Sequence, residues 1–174
     1  MRYYGFGNYY LSSIQQGIQA AHCIADMFVK YARYPLSEDT RMLYNWAENH
    51  KTMVLLSGGN SDDLKALFQK FAELHLLPCG SFKEDTQSLP WGSFKEDTQS
   101  LNDAVTHVGI IVPEIIYELA TYLRGRGTNV QDVLDNGGYG VIKPTNAGPM
   151  RVFYKITEAE ADLATLLNQY QLAR

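Results

Sequence analysis

The sequence has too little cysteine for a disulfide framework: Cys23 and Cys79 are the only two, and no Cys-x-x-Cys occurs. Histidine is equally sparse, and His22, His50, His75 and His107 are scattered without metal-ligand spacing, so neither a metal nor any other cofactor is expected. Long apolar runs are missing, which excludes a membrane-spanning helix and any expected membrane partner. The opening Met1-Arg2-Tyr3-Tyr4-Gly5 lacks the apolar stretch of a signal peptide. With so few thiols, a reducing, cytoplasmic setting is the expectation. Cations are outnumbered, 15 Lys and Arg against 19 Asp and Glu, for a net charge of -4. That argues against a protein whose whole surface grips nucleic acid, while leaving room for a local basic patch.

What the chain does have is enough apolar content to fold: 45% of its 174 residues are hydrophobic and 20% charged. Such a chain buries a sizeable core and has the length of one domain with an appendage. Its compositional oddity is 12 tyrosines, with Tyr3, Tyr4, Phe6, Tyr9 and Tyr10 crowded together near the start. These rings suit either nucleobase stacking or packing at a sheet edge or dimer contact.

Periodicity divides the chain into alternating elements. Arg2 to Phe6 reads as a short aromatic strand. Ser12 or Ser13 then caps a long helix with Ile14, Ile18, Ala21, Ala25, Phe28 and Tyr31 as its expected buried stripe, stopped by Pro35. A shorter helix over Glu38 to Glu48 buries Leu43 and Trp46. Thr52 to Leu56 is a buried strand, and Asn60 or Ser61 caps a helix burying Leu64, Leu67, Phe68, Phe71 and Leu74. Thr106 to Val112 is a second buried strand ended by Pro113, and Glu114 to Arg124 a helix closed by Gly125. Further on, Gly137 to Gly140 and Pro144 to Pro149 read as loops, and Arg151 to Ile156 as a strand. Thr157-Glu158-Ala159-Glu160 is a capping box opening a last helix. The alternation argues for an α/β or α+β sandwich.

One feature stands apart. Leu77 to Ser88 recurs as Leu89 to Ser100, with only Cys79 against Trp91 differing. Two copies are too few for a solenoid. A tandem duplication places one copy in the sheet and leaves the other as a loop, without saying which.

Two stretches carry a family resemblance. Gln19-Ala20-Ala21-His22 follows the first strand, and Thr98-Gln99 precedes Val105-Thr106 and the strand that closes on Pro113. Between them come a strand at Lys51 to Leu56, a helix at Asp62 to Leu74 and a Leu-Pro before the next strand. In order and in these two gaps the chain resembles the type 2 peptidyl-tRNA hydrolases of archaea and eukaryotes, over roughly residues 2 to 118. It departs from them where the family's turn carries lysines: Ser13 and Gln15 stand there instead. The family's Arg-Asp pair is matched only by Lys83-Glu84 or Lys95-Glu96.

The resemblance implies an α/β fold, a three-layer α/β/α sandwich with a small mixed sheet over residues 1–118. A C-terminal β-α extension, residues 119–174, packs on it. It implies cleavage of the ester between a peptide and tRNA, a tRNA or nucleotide-containing ligand, and a homodimer. On that reading Glu96 (or Glu84) orients the attacking water, with Thr98 and His22 beside it. Gln15, Gln19, Lys95 and Gln99 hold substrate. The alternative is a catalytically inactive binding protein on the same fold, with RNA, a nucleotide or a protein as partner. His22 has a structural reading as well, as a core histidine with Gln19 as its neighbour one turn back. Ser57-Gly58-Gly59-Asn60-Ser61 resembles a phosphate-cradling turn, but Asp62 and Asp63 follow it and would repel an anion.

Overall fold

The computed structural model describes residues 1–74, 79–83, 104–146 and 148–173. The chain divides into two compact units, Met1–Val112 with Gln171–Arg174, and Pro113–Tyr170.

The first unit is the α/β part. Its strands are β1 (Arg2–Asn8), β2 (Met53–Gly59), β3 (Cys79–Lys83) and β4 (Val105–Val112), in the sheet order β2-β1-β4-β3. β1 and β2 run parallel, and the other two pairings are antiparallel, which makes the sheet mixed. Helix α1 (Ser13–Tyr31) follows β1, α2 (Glu38–Asn45) follows α1, and α3 (Ser61–Leu74) follows β2. One face of the sheet packs Tyr3 and Ile111 against Ala20, Cys23, Met27 and Tyr31 of α1 and against Leu43 and Trp46. On the other face the Phe6 and Phe71 rings meet at 5.6 Å. The strand alternation that puts Tyr3 on one side and Phe6 on the other therefore builds two cores and three layers. β4 is buried along its whole length, as its unbroken apolar run requires.

The long helix is where expectation and structure part. Its buried face is Gln16, Gln19, Ala20, Cys23, Met27 and Tyr31, whereas Ile14 is 77% and Ile18 41% exposed. Ala21 and Ala25 are exposed too. Both stripes have helical spacing, so periodicity alone does not choose between them. The choice is made by the sheet surface: Gly7 leaves room for the Gln16 side chain, whose Nε2 donates to the Leu11 carbonyl at 3.1 Å. The small Ala20 and Cys23 then face the Tyr3 ring. Trp46 opens one turn of π-helix (Trp46–His50), and its Nε1 donates to the Thr52 carbonyl at 3.0 Å. Beyond the second unit, residues 171–173 return beside β2, with Ser57 N–H donating to Gln171 O and Ala173 N–H to Leu55 O, both at 3.0 Å.

The second unit contains α4 (Glu114–Arg126), α5 (Val130–Asp135), a hairpin of β5 (Tyr139–Thr145) and β6 (Gly148–Tyr154), and α6 (Glu158–Leu167). α4 runs through Gly125 and stops at Gly127, whose φ of 60° is left-handed and whose N–H returns to Leu123 O. β5 takes in the ends of both stretches expected to be loops, Tyr139–Gly140 and Pro144–Thr145, and the three residues between them. Its pairing with β6 is continuous from Tyr139↔Tyr154 to Thr145↔Gly148. The Thr157 capping box is present at α6.

Candidate functional site

The resemblance directs attention first to α1. Gln15 sits in its first turn, exposed, and its Oε1 accepts from both the N–H and the Oγ of Ser12 at 2.9 Å. Gln15 thus closes a helix cap. Gln19 lies on the buried face at 6% exposure, and its Oε1 has no hydrogen-bond partner among the described residues. His22 is half-buried, one turn before Asp26. Burial pushes the Asp26 carboxyl up from its ordinary range, and His22 pulls it part of the way back.

Beneath α1 lies a polar pair that sequence reading passed over. The Tyr3 and His107 rings are stacked with planes 6° apart, and Tyr3 Oη lies 3.0 Å from His107 Nε2. Burial lowers the imidazole to a pKa of about 4, so it is neutral near pH 7. Burial first, and Cys23 second, raise the Tyr3 phenol. Gly5 and Gly109, paired across β1 and β4, make room for the two rings. A Cβ on Gly5 would lie 2.5 Å from His107 Nε2, and one on Gly109 would run into the Tyr3 ring. The signal for this pair was an imidazole in an otherwise apolar strand, opposite a strand that carries a tyrosine. With both rings fully buried, the arrangement organises the core and offers solvent nothing.

Solvent-accessible chemistry gathers where β1 and β2 end. The two strands are parallel neighbours, yet α1 leaves β1 toward one face of the sheet and α3 leaves β2 toward the other. This is the topology that opens a crevice at the carboxyl ends of strands. Around it stand the β1–α1 turn, with Tyr9 49% and Tyr10 75% exposed, and the β2–α3 turn. The two tyrosine rings lie 4.1 Å apart, and Tyr9 N–H donates to Gly59 O at 3.1 Å, tying the turns together. The hydrogen bond with Tyr10 raises the Tyr9 phenol, and the nearby Asp63 carboxylate adds to the shift. Asn60 caps α3: its Oδ1 accepts from the N–H groups of Asp62 and Asp63, and its own N–H donates to Asp63 Oδ2 at 2.9 Å. The glycine turn is therefore filled by its own carboxylate, and an anion has no place in it. Ser61 Oγ accepts from Val105 N–H at 2.9 Å, which fixes the start of β4 at this end of the sheet.

Of the duplicated segment, the first copy supplies β3, ending at Lys83 opposite Val105. Glu84, Lys95, Glu96, Thr98 and Gln99 lie outside the described residues. Among the described residues no three His, Cys, Asp or Glu side chains are grouped to hold a metal ion, and no helix is long and apolar enough to cross a membrane. An open hollow of about 300 Å³ at the far end of α1, lined by Ala32, Pro35, Thr40, Arg41 and Tyr44, has one charged group, Arg41, which pairs with Glu38. No protein-family model matches the sequence and no curated protein matches it.

Proposed function

We propose that the first unit is a binding module, taking a planar, weakly charged ligand such as a nucleobase at the crevice where β1 and β2 end. The observation that carries the reading is the pair of exposed rings, Tyr9 and Tyr10, 4.1 Å apart just beyond the end of β1. Exposed aromatic faces stack on bases without regard to sequence. Cleavage of a tRNA ester would need cations for the phosphates and donors for the oxyanion. Ser13 and Gln15 supply no charge, Gln15 is engaged with Ser12, and Asp62 and Asp63 bring negative charge. Titration with adenosine, uridine and their monophosphates, followed through backbone amide signals, tests this. Saturable shifts are expected at Asn8–Ser13 and Gly59–Asp63, weaker with the phosphates and lost in Tyr10→Ala. Shifts elsewhere, or none, would overturn it.

A second reading, a divergent peptidyl-tRNA hydrolase, draws support from one observation: β3 ends on Lys83, the lysine of the first Lys-Glu pair. It expects release of peptide from peptidyl-tRNA, stopped by Glu84→Ala combined with Glu96→Ala. On the binding reading no peptide is released even at high protein concentration. The homodimer implied by the resemblance is checked by light scattering on the eluting protein.

A further inference from the structure

The outward face of the β5–β6 hairpin carries chemistry that the first unit does not use. From Asn136 to Thr157 the sequence has no acidic residue and three cations, Lys143, Arg151 and Lys155. Strand alternation separates them. Lys143 shares a face with Tyr139 and Tyr154 and is neutralised by Glu114 at 2.8 Å and Glu118 at 3.3 Å. Arg151 falls on the opposite face with Phe153, about 7 Å along the strand from it, and Lys155 follows two residues after Phe153, just past the end of β6. Exposure alternates with that spacing: Arg151, Phe153 and Lys155 are exposed and Val152, Tyr154 and Ile156 half-buried. Among the described residues neither Arg151 nor Lys155 has an ion-pair partner.

The cross-strand pairing completes the surface. Gly140 lies opposite Phe153 and Ile142 opposite Arg151. With no side chain on Gly140, the guanidinium folds over it, and a Cβ there would be 3.1 Å from Arg151 Nε. Phe153 is left 55% and Ile142 74% exposed. A flat ring, a guanidinium and an ammonium thus share one open surface, with no carboxylate on either strand to compete.

We propose that this face binds single-stranded nucleic acid, with Phe153 stacking on a base and Arg151 and Lys155 meeting the phosphates on either side. The occupant follows from complementarity. Two unpaired cations call for an anion, and an exposed ring set between them calls for a flat group between two charges. A duplex keeps its base faces stacked and offers only the charge. The inference goes beyond the crevice reading and uses residues of the other unit, so each can fail without the other.

Fluorescence anisotropy of the full chain with a labelled oligouridylate of about 12 nucleotides tests it. At about 50 mM salt the single strand is expected to bind at least about tenfold more tightly than a duplex of equal length. Arg151→Ala with Lys155→Ala should weaken binding by about tenfold or more and reduce the log–log salt slope by about 1.4, roughly 0.7 per lost cation. Phe153→Ala should weaken binding by about tenfold with the salt slope unchanged, and Phe153→Tyr should retain it. Far-ultraviolet circular dichroism checks that each variant is folded. Absence of binding, affinity that these variants leave within about twofold, or a preference for anionic phospholipid vesicles over the oligonucleotide would each overturn the proposal.

Discussion

Tyr3 Oη and His107 Nε2 meet at 3.0 Å across the β1–β4 pair, joining residues 104 positions apart inside the core. The imidazole is held neutral there, with its pKa lowered from 6.5 to about 4. The folded state therefore binds fewer protons than the unfolded chain between those two values, and stability rises with pH across the window. His107's contribution is complete above pH 6.5 and is lost progressively as pH falls toward 4. At the bottom of the window the loss is on the order of 3 kcal/mol. Urea unfolding at a series of pH values in this range should show that slope in the wild type. His107→Gln should flatten it, and equal slopes in the two proteins would refute the account.

Two glycines should respond to alanine with opposite signs. Gly109→Ala drives a methyl group into the buried Tyr3 ring and should destabilise by about 1–3 kcal/mol or more. Gly17→Ala, on α1, meets nothing within 4 Å and should stabilise by about 0.5–1 kcal/mol by restricting the unfolded chain. Chemical denaturation midpoints at neutral pH measure both.

The helix caps make a third test. Ser12→Ala removes the group that accepts from Gln15 N–H and donates to its side chain, and Thr157→Ala does the same at α6 with Glu160. Each should cost about 1 kcal/mol. Gln15→Ala should cost less than Ser12→Ala, because the hydroxyl still satisfies the backbone donor. A larger loss for Gln15→Ala would mean that its side chain does more than close the cap.

Within the second unit, Lys143 bridges Glu114 and Glu118, and the hydrogen bond with Glu114 raises the ammonium's pKa and lowers the carboxyl's. All three groups are partly solvated, so Lys143→Met should cost no more than about 1 kcal/mol, and less at high salt. Thermal melts at low and high sodium chloride read this directly. Tyr139, whose hydroxyl donates to Ile115 O and whose phenol burial raises, should lose about 0.5–1.5 kcal/mol as Tyr139→Phe, without salt dependence.

Local rules made much of this architecture readable. The apolar run of β4, the Thr157 capping box and the cap at Asn60 are short-range features, and each formed where composition placed it. Helix α4 runs one residue past Gly125, to Arg126, because a glycine is tolerated in a helix and the left-handed stop needs Gly127. β5 was missed because Gly140 and Pro144 read as breakers, whereas a hairpin edge accepts both once a partner strand is present. The site was less legible. The bond from Gln15 to Ser12 was not visible, and nothing local announced that Tyr3 would reach His107.

The sequence by itself determined most of the strands and helices, the apolar content and the helix N-caps, because those depend on neighbours a few residues away. Tertiary structure alone decided which stripe of α1 is buried. It also decided which tyrosines stay outside. Two helical stripes are equivalent until a particular surface presents itself. The glycine-lined face carrying Tyr3 and His107 was that surface for α1, and only cross-strand register could build it.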